Sequence, residues 1–325
     1  MIAAQSLSIS PATEAEARYR AVFRRLHAGH AACLDDEWLS RPCVDRTGAA
    51  LSPVVWSRRN GPWTPVSVLW IGAAPGNAGG RGAGDMGAHG TRIPFGGDIA
   101  GANLDLLLDA VGLDRDRTFI AAALNQLPDR GGGEPSAAEL SRPVGDYSNS
   151  VAVLRDTILA SGAALVIALG NVAMRACVAA VAPPGAAGET VLLPSLERLR
   201  RAGLERGFAT DWPVGDALPG VDPGFLADWR GTWPGPPPRL LWLMHPSAQN
   251  MSPHAGADTG FHRRMVQTLR ALRGALGRPL PGSLSPARDR VEKTPAPGVY
   301  GTLEWRERVG PRHAELIRLW REKGL

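Results

Sequence analysis

The sequence predicts an α/β fold, in which helices cover both faces of a central four-stranded parallel sheet to form a three-layer sandwich. Four continuous apolar runs alternate along the chain with segments whose apolar residues recur at helical spacing. Strands that are apolar on both faces are typical of parallel sheets buried between two layers of helices. Because parallel strands need crossover connections, the intervening helices supply those two outer layers.

The four apolar runs define the strands, and a helical pattern follows each of them. The predicted strands are residues 66–72, 118–124, 164–170 and 239–244. The face of the helix after the first strand consists of Leu104, Leu107, Leu108 and Val111. The helical stretch after the second strand covers about 136–160, and the helix after the third strand ends near residue 181. The apolar face of the last core helix consists of Met265, Leu269, Leu272 and Leu276.

The chain is expected to have one core with additions at both ends. The predicted parts are an N-terminal helical region and connection (1–62), a core (63–278) with an insertion (183–237), and a Pro/Arg-rich tail with a terminal helix (279–325). Residues 279–311 are rich in proline, arginine and glycine and are expected to be extended or mobile. A short final helix, with Leu316, Leu319 and Trp320 on one side, is expected to dock on the core.

The basic composition is compatible with a nucleic-acid partner but does not by itself favour one. A formal charge of +5 and a pI near 9.6 suit a polyanion, although an arginine-rich composition bias explains the same balance equally well. No apolar stretch reaches about 18 residues and the N-terminus does not resemble a signal peptide, so a cytoplasmic protein is expected. Cys33, Cys43 and Cys177 have neither CxxC spacing nor an even count, which disfavours a disulfide framework and a four-thiolate cluster.

Function in a parallel sheet is concentrated in the loops that follow the carboxyl ends of the strands. The loop after the first strand, residues 72–98, is long and rich in glycine, and the loop after the fourth strand begins with HPSAQN at residues 245–250. The first loop is too long for a dinucleotide-binding turn, which leads directly into its helix, and the chain has no Walker-type phosphate loop. A loop of this kind is typical of a binding site; a flexible surface loop is the alternative.

These motifs resemble those of the uracil-DNA glycosylase superfamily. GAAPG (72–76), PFGGDIAG (94–101) and HPSAQN (245–250) are similar to the motifs G-x-A-P-G, PF-x-GD-x-x-G and H-x-S-x-Q-N of the branch called family 5, or type B. The resemblance extends over about residues 66–276, without the insertion. It implies a monofunctional DNA glycosylase, which flips a base out of DNA and hydrolyses its N-glycosidic bond to leave an abasic site.

The resemblance also implies roles for individual residues. Asp98 is expected to position or activate water, Phe95 to stack on the flipped base, and His245 to stabilise the charge on the departing group. Structural alternatives exist, since Asp98 can cap the helix that follows it, Phe95 can belong to the core, and His245 can be a hydrogen-bonded histidine at a strand end. The residues expected to bind the base, besides Phe95, are Ala74, Gly76 and Asn125, of which Asn125 offers both a donor and an acceptor.

Contacts with DNA are expected on the fourth loop and on the helix that follows it. The predicted DNA-binding residues are Ser247, Gln249, Asn250, Met251 and Arg263. Gln249, Asn250 and Met251 are candidates for entering the groove beside the flipped nucleotide. Arg264, Arg270 and Arg273 lie on the same helix as Arg263 and either meet phosphates or form a solvated basic face.

The departures from the family pattern affect the expected cofactors and chemistry. Gln126 and Leu127 stand where cluster-binding relatives carry a cysteine, so no iron–sulfur cluster, other cofactor or metal is expected. Ala73 occupies the position of the catalytic glutamate of type A enzymes, which leaves Asp98 as the candidate carboxylate. The motifs contain no lysine that could form a Schiff base, which argues against a lyase. The expected partner is DNA, single- or double-stranded, bound by a monomer.

The substrate and the activity have several alternatives. Uracil is the default base, but a pocket reshaped by the long first loop and the insertion suits hypoxanthine, xanthine or a bulky modified pyrimidine of phage DNA. The last of these would imply antiviral defence. A catalytically silent DNA-binding protein is a second alternative, and a small-molecule nucleoside hydrolase is a third, which the basic balance and the HPSAQN loop disfavour.

Overall fold

The structure is a computed structural model that describes residues 11–26, 28, 65–74, 95, 99–113, 118–126, 128, 134–181, 193–201, 233, 238–247, 249–254, 261–277, 284 and 303–325. Its strands are β1 (Val68–Gly72), β2 (Phe119–Ala122), β3 (Leu165–Leu169) and β4 (Arg239–Leu243). Its helices are α1 (Pro11–Leu26), α2 (Ile99–Val111), α3 (Ala137–Leu140), α4 (Ser150–Ser161), α5 (Asn171–Val181), α6 (Leu196–Arg201), α7 (Phe261–Ala275) and α8 (Leu303–Glu322).

The four strands form one parallel sheet in the order β2-β1-β3-β4. β1 pairs with β2 from Leu69 opposite Phe119 to Gly72 opposite Ala122, and β1, β2 and β3 are buried along their whole length. Each predicted strand is confirmed; the end of β1 and the start of β4 coincide with the predicted ones, and the other ends lie one or two residues inside them. The carboxyl ends of the four strands lie along one side of the sheet, which we call the carboxyl edge.

Alternate residues of each strand point to opposite faces of the sheet and build two cores. In β1, Leu69 and Ile71 belong to the core shared with α1, α4 and α5. Val68 and Trp70 belong to the core shared with α2, α7 and α8. The predicted arrangement of a sheet between two layers of helices is therefore confirmed, and the N-terminal and C-terminal helices lie on opposite faces.

The predicted helical stretch 136–160 forms two helices instead of one. α3 ends at Leu140, and α4 begins after Asn149, whose side chain accepts a hydrogen bond from the backbone N–H of Ala152 at 2.8 Å. Between them Gly145 has φ +56°, and a β-carbon there would lie 2.2 Å from the carbonyl oxygen of Arg25 in α1. This close approach to α1 requires a glycine in the left-handed region, which interrupts the helix.

The C-terminal helix is longer than the sequence indicated. α8 begins at Leu303, so the expectation of an extended segment up to residue 311 is wrong for residues 303–311, even though Pro311 lies inside the helix. Pro311 has no backbone N–H, so one helical hydrogen bond is lost. The helix is stabilised on both sides of the proline by the burial of Val309 before it and of Leu316 and Trp320 after it. Contacts of α8 with α2 and α7 confirm the predicted docking. Within the described residues, no helix is long and apolar enough to cross a membrane.

Candidate functional site

The pairing of β1 with β2 continues beyond both strands and brings two predicted base-binding residues to the carboxyl edge. The backbone N–H of Ala123 donates to the carbonyl of Gly72, and that of Leu124 donates to the carbonyl of Ala73, each at 2.9 Å. Ala74 and Asn125 are the next residues of the two segments. Asn125 is buried, with 1% of its surface exposed, and Ala74 is half-buried.

A glycine after β3 provides the place for His245 after β4. The backbone N–H of Gly170 donates to the carbonyl of Leu243 at 2.8 Å, which extends the sheet by one residue. Gly170 has φ +97°, a backbone conformation that residues with a side chain rarely adopt. A β-carbon on it would lie 3.5 Å from the β-carbon of His245. His245 is therefore seated directly beside the end of β3, with its side chain half-buried.

Phe95 lies between β1 and His245 at the same edge. Its ring covers Gly72 so closely that a β-carbon on that glycine would stand 2.6 Å from Cε2 of the phenylalanine. The ring centroids of Phe95 and His245 are 5.7 Å apart, with the ring planes tilted by 37°. Phe95 has φ +54°, a conformation that costs a non-glycine residue about 1–3 kcal/mol and that clusters at functional sites.

The described residues of the HPSAQN segment, 245–247 and 249–250, form a turn that is held by its own polar groups. The carbonyl of His245 accepts hydrogen bonds from the backbone N–H of Ser247 at 2.8 Å and from Nδ2 of Asn250 at 2.9 Å. The Ser247 hydroxyl accepts from the backbone N–H of Asn250 at 3.3 Å, and its carbonyl accepts from the backbone N–H of Met251 at 3.0 Å. The Ser247 and Asn250 side chains therefore shape the turn that presents His245.

A buried amide of α2 supports this turn from below. Asn103, with no exposed surface, donates through Nδ2 to the carbonyls of Pro246 at 2.9 Å and Ser247 at 3.3 Å. Its Oδ1 lies 2.9 Å from Nε2 of His313 in α8. An amide oxygen only accepts, so Nε2 of His313 carries the hydrogen and donates it.

A second histidine links the end of the turn to α8. Nε2 of His262, at the start of α7, lies 3.0 Å from the carbonyl of Ser252 and donates to it, while the indole N–H of Trp320 donates to Nδ1 at 3.4 Å. Burial lowers the pKa of His262 and Lys323 adds to this effect, whereas the backbone carbonyls of Ser252 and Pro253 oppose it. The neutral ring is the form that can accept from Trp320 and donate to Ser252 at once.

The predicted DNA-binding residues have different surroundings in the structure. Gln249 and Arg263 are exposed, as a contact with DNA requires. Met251 has no exposed surface and packs in the core with α2, α7 and α8, so its burial does not support the expectation that it enters the groove. Arg273 is also buried, and its guanidinium donates to the carbonyls of Asp109 and Ala110 at the end of α2, so it is not available to phosphates.

Two predicted site residues, Asp98 and Gly76, lie outside the described residues. In the sequence Asp98 directly precedes Ile99, the first residue of α2. The roles expected of Asp98 and Gly76 remain predictions. Cys33 and Cys43 also lie outside the described residues, whereas Cys177 is a buried free thiol whose pKa burial raises. Among the side chains that the structure describes, no group of three or more His, Cys, Asp or Glu is placed to hold a metal ion.

Several residues that shape the site were missed in the sequence. Asn103, His313, His262 and Trp320 share no motif and come from three different helices. One signal was present for Asn103, since an amide on the apolar face of α2 has to find buried partners. For the two histidines the sequence holds no comparable signal, because their partners lie at least ten positions away.

The arrangement places an aromatic ring, which can stack, beside an imidazole, which can donate or accept a hydrogen bond. The centroids of the Phe95 and His245 rings are 5.7 Å apart at the carboxyl edge, where Gly72 leaves the space that the Phe95 ring fills and Gly170 leaves space beside His245. Comparison with protein families finds a match: the family model of the uracil DNA glycosylase superfamily matches residues 61–270, more than half of the chain. A comparison with curated proteins finds no significant match.

Proposed function

The chain belongs to the uracil DNA glycosylase superfamily, and on this basis we propose that it is a monofunctional DNA glycosylase. The observation that carries the proposal is the pair of rings formed by Phe95 and His245 at the carboxyl edge of the sheet. They come from loops more than one hundred residues apart, after the first and last strands, and their two motifs are the ones that resemble the superfamily. The proposed product is DNA with an abasic site and a free base.

The proposed reaction replaces the bond between the base and the sugar by a bond to water. The N-glycosidic bond breaks with its electron pair leaving on the base, and the sugar passes through an oxocarbenium-like state. Water then forms a bond to C1′, and the proton that it loses ends, directly or through solvent, on the departed base, so that the products are the abasic sugar and the neutral base. In this scheme His245 stabilises the negative charge on the departing base, and the Asp98 carboxylate stabilises the cationic sugar and orients the water. The Asp98 role rests on its motif, PFGGD.

The flipped base is proposed to stack on Phe95. Stacking of a base on an aromatic side chain contributes about 1–3 kcal/mol and does not depend on the identity of the base. Asn125, Ala74 and Gly76 are proposed to bind the edge of the base, for which the amide of Asn125 offers a donor and an acceptor. The proposed default substrate is uracil, and the proposed branch of the superfamily is family 5, or type B.

The DNA strand is proposed to bind across the HPSAQN turn. Gln249 is exposed in this turn, and Arg263 is exposed on the first turn of α7, where a cation can meet a phosphate. Ser247 and Asn250 are half-buried and hold the turn together, so their proposed contribution to DNA binding is to shape the backbone that the strand meets.

The test is excision from defined oligonucleotides. The purified protein is incubated with DNA that contains a single uracil, hypoxanthine, xanthine or modified pyrimidine, and with hypermodified phage DNA, and abasic sites are then cleaved with alkali. We expect strand cleavage that disappears in Asp98→Asn and falls strongly in His245→Ala. Asp146→Asn, an exposed carboxylate in the loop beside α1, is the matched control and is expected to retain full activity.

The base that is excised decides between the alternatives. Excision of uracil supports a repair enzyme, and excision confined to a modified phage pyrimidine supports antiviral defence. Cleavage that is unchanged in both Asp98→Asn and His245→Ala would overturn the assignment of these residues. Absence of cleavage with every substrate, in protein that still binds DNA, would favour a catalytically silent member of the superfamily.

A further inference from the structure

We infer that α8 is a positioning element of the proposed active site, in which His313 acts through Asn103 to hold the turn that carries His245. The inference rests on the proposed function, because it assigns a role to residues behind His245 in the same site. It concerns a helix outside residues 61–270, the part of the chain that the superfamily model matches.

The hydrogen bonds between α8 and the turn form one directed chain. His313 donates to Oδ1 of Asn103, the end of the amide that can only accept. Nδ2 of Asn103 then points at two carbonyls that can only accept, those of Pro246 and Ser247. Rotation of the amide by 180° would place an oxygen against both carbonyls and an amino group against Nε2, so the arrangement tolerates one orientation only.

The two carbonyls that Asn103 holds belong to the peptides that directly follow His245. The carbonyl of His245 itself is held by the backbone N–H of Ser247 and by Asn250. Hydrogen bonds therefore fix three successive carbonyls, from His245 to Ser247. Their loss would allow the turn to move, and a displacement of about 1 Å at a catalytic group can reduce a rate by about 100-fold.

A second contact from the same face of α8 holds the other end of the segment. Trp320 lies seven residues after His313, which is two helical turns, so both side chains lie on one face of α8. The Trp320 indole donates to His262, which in turn holds the carbonyl of Ser252. The side chains of His313 and Trp320 are both fully buried. Through them α8 is connected to the HPSAQN turn by way of Asn103, and to the residues after the turn by way of His262.

The test compares substitutions of His313 with a packing control on the same helix. His313→Leu removes the donor to Asn103, whereas in His313→Gln the side-chain amide can still donate to it. Ile317→Ala is the control, because Ile317 is buried in the same core and takes no part in the hydrogen-bonded chain. Where His313→Leu does not fold, His313→Asn serves instead, since its shorter amide does not reach Asn103.

The first readout is single-turnover excision at saturating DNA. We expect His313→Leu to lower the rate constant about 10-fold or more while the Kd for DNA changes little, and His313→Gln to restore most of the rate. Ile317→Ala is expected to lower thermal stability and leave the rate constant near that of the unaltered protein. Equal rate losses in His313→Leu and Ile317→Ala, or no recovery in His313→Gln, would overturn the inference and reduce α8 to a packing element.

The second readout does not depend on activity, so it separates the inference from the proposed function. Amide hydrogen exchange is measured at Ser247 and Met251, whose N–H groups close the turn. We expect faster exchange in His313→Leu and near-normal exchange in His313→Gln and Ile317→Ala. That pattern in a protein without glycosylase activity would leave the positioning role intact and overturn only the proposed function. Unchanged exchange in His313→Leu would overturn the positioning role.

Discussion

The ring of Phe95 rests on the α-carbon of Gly72, at a distance that leaves no room for a β-carbon. The two residues belong to the first and second motifs of the long loop after β1, and the ring also faces His245. A glycine is therefore needed at the end of β1 because of the ring and not because of the strand. The absence of a side chain at Gly72 determines how closely the Phe95 ring packs on the sheet.

Gly72→Ala is expected to displace the Phe95 ring and lower excision. The added methyl group would stand 2.6 Å from Cε2 and 2.9 Å from Cζ, and the ring can swing away at modest cost in stability. We expect a 10-fold or larger fall in the single-turnover rate, on the order of the free energy that base stacking contributes. The control is a double-mutant cycle, in which Gly72→Ala has little further effect in a Phe95→Ala background. Additive effects would show that the glycine does not act through the ring.

Phe95→Gly is expected to be more stable than Phe95→Ala, although both substitutions remove the ring. Glycine adopts φ +54° without strain, whereas alanine retains the penalty of the left-handed region. After the greater backbone entropy of glycine in the unfolded chain is subtracted, a difference of about 1 kcal/mol remains in the free energy of unfolding. Urea denaturation measures it. If the alanine variant were the more stable one, the backbone at Phe95 would not be strained.

Met251 and Gln249 are expected to have opposite roles, although two positions separate them. Met251 is fully buried, so Met251→Ala is expected to lower the free energy of unfolding by about 2–5 kcal/mol. Gln249 is exposed, so Gln249→Ala is expected to leave stability unchanged and to weaken DNA binding. Denaturation and fluorescence anisotropy with a labelled duplex separate the two effects. A normal unfolding free energy with weakened DNA binding in Met251→Ala would restore the original expectation of a groove-inserting methionine.

His262 is expected to make stability depend on pH in the acidic range. Burial lowers its pKa in the folded protein below the ordinary value of about 6.5, so the unfolded chain binds more protons at acidic pH. The stability contribution is present above about pH 6.5 and is lost as the pH falls through the lowered folded pKa, with a slope of at most about 1.4 kcal/mol per pH unit. The measurement is the difference in unfolding free energy between the unaltered protein and His262→Gln from pH 7.5 to 5. Parallel curves would contradict it.

The four strands could be predicted from the sequence, because a strand that is buried on both faces consists of a continuous run of apolar residues. The set of loops along the carboxyl edge could be predicted with them. Each run appears as a strand, and the two motifs next to β1 and β4 place Phe95 and His245 at neighbouring positions. Local chemistry is sufficient for this part of the fold, because the positions of strand ends in a parallel sheet follow from their direction.

What could not be predicted depends on tertiary contacts. The interruption between α3 and α4 arises where Gly145 approaches the backbone of α1, and α8 continues through Pro311 because Val309 before the proline and Leu316 after it are buried. Met251 was assigned to the DNA surface by its motif, but the turn directs it into the core. No pattern in the sequence relates residues whose only connection is their position in the folded protein.

The bond between His313 and Asn103 joins residues that are 210 positions apart. Closing so large a loop costs conformational entropy before the hydrogen bond contributes to stability, and contacts between residues far apart in sequence slow folding. The pairing of neighbouring strands spans much shorter stretches, so we expect the sheet to assemble first and the imidazole–amide contact to form near the end. A refolding chain would then regain the sheet before the turn that carries His245 is held in place, and the order of these two events is set by the distance along the chain from α2 to α8.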